Sequence, residues 1–221
     1  MQELQVTFNF NARYFKIGEL NKNTKSVWFV LHGYGHLAQY FLKKFESLTN
    51  HGVCVIAPEG LSRFYLEDVN TRNQTGNNRV GATWMTRENR LADIDNYIQF
   101  LNTVYKTELK TFPDIPVTLL GFSQGAATVS RWAINNSVAF NNLILWAGIL
   151  PDDMDFEKGK ELLKNKTVHQ VYGSKDPFLT DSRILEMKKL SAKIGVTSAP
   201  IIFDGGHEIH EQTLVHLIQQ H

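Results

Sequence analysis

"VTLLGFSQGAATVSRWAI", residues 117–134, reads as a strand, a sharp turn and a helix. The apolar run stops at Phe122, and Ser123 follows between two glycines, Gly121 and Gly125. A side chain thrown outward from such a turn needs a strained backbone with unusual φ and ψ. Glycines on either side let neighbouring backbone approach where a Cβ would clash. Ala126 and Ala127 keep the start of the helix close to the sheet. The helix N-terminus then offers free N–H groups and a positive dipole end near the serine. Strand, G-x-S-x-G and helix in that order is the context of a nucleophile elbow. The five letters alone fit a glycine-bounded loop equally well, so the rest of the chain must supply partners in a workable order.

Working outward, compact apolar runs recur as "VWFVL" at 27–31, "VCVIA" at 53–57, "LILWAGIL" at 143–150, "VHQVYG" at 168–173 and "PIIF" at 200–203. Continuous apolar runs suit strands buried on both faces of a parallel sheet. Between them lie helical patterns: Leu37, Tyr40, Phe41, Phe45 and Leu48 share a face, as do Leu91, Ile94, Ile98, Leu101 and Tyr105. Residues 124–134, 181–194 and 209–219 are expected helices too. The alternation predicts an α/β fold, a mostly parallel central sheet with helices on both faces. "LQVTFNF" at 4–10 alternates like a half-exposed strand, and "RYFKI" at 13–17 is placed to return beside it as an antiparallel hairpin. Residues 59–83 are polar, glycine-bearing and weakly periodic, and are expected to form a long, lid-like loop. No second domain is evident, so residues 1–221 are expected to form one domain.

With 43% hydrophobic residues and a formal net charge of +1, the chain has globular composition and no field that would attract nucleic acid. No run approaches membrane-spanning length, and "MQELQVTFNF" lacks the pattern of a signal peptide. The lone Cys54 has no partner for an internal disulfide, which suits a reducing cytoplasm.

A serine nucleophile needs a base, and the base an orienting acid. On this architecture the chain order is serine, acid, histidine. That order removes His32, His36, His51 and His169 and leaves His207, His210, His216 and His221. His207 is favoured because "IIFDGGHEIH" gives a strand, a glycine turn and then the histidine, whereas the other three fall within or after the last helix. For the acid, Asp176 in "VYGSKDPF" follows a strand and precedes Pro177; Asp152 and Asp153 in "GILPDDMD" are rivals, and Asp204 stands too close to His207 in the chain. "HGYG", "GFSQG", "AGILP", "GSKD" and "GGH" all follow predicted strands, the edge where open α/β sheets bind ligands. "HEIHE" puts Glu211 where a zinc-binding H-E-x-x-H needs its second histidine, and no G-x-G-x-x-G is present.

From about residue 26 onward the chain resembles the small carboxylesterase/phospholipase family of α/β-hydrolases, which includes acyl-protein thioesterases. "GFSQG" resembles its nucleophile motif, "HGYG" its oxyanion loop, "WAGILP" a strand end, and "GSKDPF" and "GGHEI" its acid and histidine segments. The resemblance implies the α/β-hydrolase fold, with Ser123 as nucleophile, Asp176 as acid and His207 as base. It implies an oxyanion hole from the backbone N–H groups of Tyr34 and Gln124, and no metal or organic cofactor. The expected activity is cleavage of carboxylic esters, with thioesters as a variant, through an acyl-enzyme. Alternatives are an acyl-protein thioesterase or lysophospholipase, and a non-catalytic binding protein on the same scaffold. The substrate pocket is expected to involve Phe64, Tyr65, Trp84, Met85, Trp146 and Leu150. Small esters or acylated molecules are the expected partners, with room for a homodimer. His36 and Ala126 depart from the aspartate and glycine usual in the thioesterase members.

Overall fold

The computed structural model describes residues 1–219. Seven strands form one sheet: β1 (Tyr14–Ile17), β2 (Ser26–Leu31), β3 (Val53–Pro58), β6 (Val117–Phe122), β7 (Asn142–Trp146), β8 (Thr167–Gly173) and β9 (Ile201–Phe203). Their spatial order is β1-β3-β2-β6-β7-β8-β9. All neighbours are parallel except β1, which runs antiparallel to β3 with Tyr14 opposite Pro58. The chain moves from β2 to β3 on one side and later to β6 on the other. The carboxyl end of β2 is therefore a topological switch point, where such sheets bind ligands.

The continuous apolar runs have a simple cause: alternate residues of each strand feed two separate cores. Val27, Phe29 and Leu31 of β2 join Tyr97, Trp132 and Leu190, contributed by the helices α3 (Arg90–Glu108), α4 (Gln124–Ile134) and α6 (Asp181–Lys193). Trp28 and Val30 instead join Phe41, Phe45 and Leu214, contributed by α1 (Ala38–Leu42), the 3₁₀ helix Lys43–His51 and α7 (Glu211–Gln219). Each such side chain, fully buried, contributes about 1.5–3 kcal/mol. The short α5 (Phe156–Leu163) is capped by Asp155, whose carboxylate accepts the N–H of Lys158 at 3.0 Å. No helix of the described residues is long and apolar enough to cross a membrane.

The structure corrects three expectations. Among the described residues, 4–10 pair with no strand; Val6 and Phe8 are largely exposed, and β1 is the antiparallel strand of the seven-stranded sheet. Alternation marks a face that favours burial, but it provides no partner strand. The run at 143–150 ends as a strand at Trp146, because Ala147 turns to φ 51° and donates its N–H to the Val171 carbonyl at 2.7 Å. The segment 59–83 is no featureless loop: β4 (Ser62–Tyr65) pairs antiparallel with β5 (Val80–Thr83), and α2 (Val69–Thr75) bridges them. Asp68 caps α2 by accepting from the N–H groups of Asn70 and Thr71, and Gly76 ends it at φ 69°. Two four-residue strands are too short to show a clear period. This excursion is stitched to the loop after β2: Gly35 donates to the Ala82 carbonyl at 2.9 Å, and Ala82 to that of His36 at 3.2 Å.

Candidate active site

Ser123 stands between β6 and α4 at φ 54° and ψ −115°, a region that side-chain-bearing residues rarely enter and that costs of order 1–3 kcal/mol. The surroundings hold it there. Its N–H donates to the Trp146 carbonyl at 2.8 Å, and its carbonyl accepts from Ala126 at 3.0 Å. The small residues are required by contact: a Cβ on Gly121 would lie 2.1 Å from the Gly125 carbonyl oxygen, and one on Gly125 would lie 2.3 Å from that of Leu31. Gly33 faces the serine closely enough that a Cβ there would stand 3.2 Å from the Ser123 Cβ.

Asp176 and His207 meet at the ends of β8 and β9. The His207 Nδ1–H donates to Asp176 Oδ2 at 2.7 Å, and Asp176 Oδ1 accepts the Phe178 N–H at 2.9 Å. The carboxylate is buried, while the imidazole is partly open to solvent. Backbone bonds from Ser174 to the Phe203 carbonyl (2.8 Å) and from Lys175 to that of Gly205 (2.9 Å) fasten the two loops together. The imidazole lies 4.8 Å from the ring of Phe122, the residue before Ser123, so the three loops share one mouth. With Nδ1 committed as a donor, Nε2 of His207 is the nitrogen left to accept a proton.

The rivals are engaged elsewhere. Asp153 pairs with Arg131 at 2.7 Å and with Arg90, and Asp152 is exposed. Asp204 pairs with Lys175 at 2.6 Å. The His210 ring stacks on Phe203 and shares a 2.9 Å hydrogen bond with Thr213, His216 lies along α7, and His221 is outside the described residues. Among the described residues the N–H groups of Tyr34 and Gln124 make no hydrogen bond, which leaves both available to an oxyanion.

Two supporting side chains escape sequence reasoning. The Gln124 amide braces the turn against the end of β5: Nε2 donates to Thr83 Oγ1 (2.9 Å) and the Met85 carbonyl (3.0 Å), and Oε1 accepts the Trp84 N–H (3.2 Å). His32, fully buried, donates from Nδ1 to the Gly33 carbonyl (2.8 Å) and accepts the Gly60 N–H at Nε2 (2.9 Å), tying the loop after β2 to the end of β3. Burial pushes its pKa down to about 4, so it is neutral, as this bonding demands. A histidine next to a glycine carries no signal of this; only the contacts reveal it.

Three expected pocket residues are corrected. Trp84 is buried, its indole N–H donating to the His32 carbonyl at 2.8 Å. Trp146 is buried too, and its N–H donates to the Glu208 carbonyl at 2.7 Å, steadying the loop that carries His207. Leu150 lies in the core. Trp84 and Trp146 sit at strand ends and Leu150 in the loop after β7, but all three side chains turn into the interior, where their apolar area is better buried. Phe64 packs on the Tyr34 ring (5.0 Å) at the rim, and Met85 is partly buried against the core beneath it. Tyr65 is exposed, with the Arg72 guanidinium 3.9 Å over its ring, and its neighbour Leu66 faces the mouth side instead.

This architecture, with a strained serine at the carboxyl end of β6 beside the switch point, defines an α/β-hydrolase. The chain belongs to the serine hydrolase (FSH1) family, whose model matches residues 22–215, and it is a hydrolase. Similar solved structures include the acyl-protein thioesterase 2 of Zea mays, with 16% identity over 95% of this chain and 97% of that one and a TM-score of 0.69. Esterase PE8 is 17% identical over 96% of this chain and 99% of that one (TM-score 0.67). The Bacillus cereus carboxylesterase is 16% identical over 95% and 92% (TM-score 0.64). These likenesses carry the fold. No curated protein sequence matches the chain.

Proposed function

We propose that this hydrolase cleaves carboxylic esters through a covalent acyl-enzyme, with Ser123, His207 and Asp176 as its triad. The observation that carries the reading is the 2.7 Å His207–Asp176 hydrogen bond at the same mouth as the strained Ser123. As Ser123 Oγ bonds to the ester carbonyl carbon, its proton passes to His207 Nε2, and Asp176 stabilises the imidazolium. The carbonyl oxygen, now negative, accepts from the N–H groups of Tyr34 and Gln124. The C–O bond then breaks, and the leaving oxygen takes the proton from His207. Water enters, gives a proton to His207 and attacks the acyl carbon; collapse releases the acid, and the proton returns to Ser123. The same steps serve a thioester, with sulfur as the leaving atom, as the likeness to an acyl-protein thioesterase invites.

A fluorophosphonate probe tests this directly. Wild-type protein is expected to be labelled at Ser123, and Ser123→Ala to lower kcat on an activated ester by roughly 10⁴-fold or more while the protein stays folded. Substantial esterase activity in the folded mutant refutes the assignment, and absence of labelling in the wild type favours a binding protein.

A further inference from the structure

A groove of about 640 Å³ opens beside this mouth, between the loop after β2, the α1 segment and the β4–β5 excursion. That volume is in the range of small-molecule sites. His36 connects the groove to the chemistry: it follows the oxyanion loop, lines the groove, and stacks on Phe122 at 5.7 Å and 13°, while Phe122 touches His207. Tyr40, Phe41 and Leu66 make the walls apolar. The charged side chains lining it are Lys44 and Arg79, both cationic, and no carboxylate lines it. The Arg79 charge is already engaged by Glu67, whose Oε1 accepts from Nε at 2.6 Å. Lys44 has no ion-pair partner among the described residues. Burial first, then the charges of Lys44 and His207, hold the His36 pKa below its ordinary value.

Resting on the esterase reading, we propose that this groove binds the part of the ester remote from the reacting carbonyl, and that this part is an alkyl chain ending in an anionic group held by Lys44. An apolar chain covers Tyr40 and Leu66, and only an anionic end also pairs with Lys44, which lines the groove.

Binding to Ser123→Ala protein tests this without turnover. Two matched pairs are titrated by NMR: monomethyl suberate against methyl octanoate, and 8-acetoxyoctanoate against octyl acetate. The first pair carries the anion on the acyl side, the second on the leaving-group side. In one pair the carboxylate-bearing member is expected to bind about fivefold more tightly, the value of a partly exposed ion pair. Lys44→Glu is expected to erase that preference and Lys44→Arg to keep it. The proposal is overturned if neither anion binds better than its neutral partner, or if the preference survives in Lys44→Glu. Failure of the parent reading shows separately, as absence of Ser123 labelling and ester turnover in the wild type.

Discussion

Protonating His32 should loosen both the fold and the mouth, by an amount that follows from its bonding. Its Nε2 accepts the Gly60 N–H, so a proton there sets two donors against each other in a site with no solvent. The pKa is about 4 in the folded protein against an ordinary 6.5. Because the folded value is the lower one, the unfolded chain binds the proton more readily. The stabilisation is therefore complete above pH 6.5, is lost as pH falls toward 4, and is gone below it. The lowered value corresponds to roughly 3 kcal/mol of stability at neutral pH. At pH 4.5 roughly 2–3 kcal/mol of this has been lost, since the folded form still resists the last part of the titration. The measurement is urea unfolding of wild type and His32→Gln at pH 7.5 and pH 4.5. Gln does not titrate, so other groups cancel in the comparison. The wild type should lose roughly 2–3 kcal/mol more than the variant between the two pH values. Parallel losses in the two proteins would refute the argument that a neutral, buried His32 joins these loops.

Asp176→Asn should lower kcat on an activated ester by about 10⁴-fold by disturbing the imidazole tautomer, whereas Asp152→Asn, exposed and remote from His207, should change it little; the reverse ranking moves the acid to the end of β7. Gly121→Ala forces a Cβ to 2.1 Å from backbone oxygen, so it should destabilise the protein by at least about 1–3 kcal/mol and abolish Ser123 labelling, read by thermal melting and probe capture. Deleting residues 2–11 should leave the melting temperature within about 2 °C of wild type, because residues 4–10 join no strand; a larger drop would mean that they pair after all.

Much of this molecule is legible before any coordinates. The strands at 27–31 and 53–57 are apolar throughout, and that at 117–122 nearly so, because each is sandwiched between two cores, and that burial is written directly into residue type. The elbow is legible because the glycines and alanines around Ser123 are demanded by backbone contacts too close for larger side chains. Chain order narrows the histidines, but it leaves Asp152 and Asp153 beside Asp176 as candidates for the acid. Tertiary structure decides what depends on direction and on distant neighbours. Trp84 and Trp146 stand at strand ends and Leu150 in the loop that follows one, but whether such a side chain turns to the mouth or the core is set by the packing on either side. The alternation at 4–10 specifies a face and no partner. His32 and Gln124 hold the loops through bonds to residues 28 and about 40 positions away, and Lys44 lines the groove beside the mouth only because the segment after β2 and the β4–β5 excursion close around a common space. Local sequence encodes propensity and burial; which remote groups come to share a hydrogen bond is a property of the completed fold.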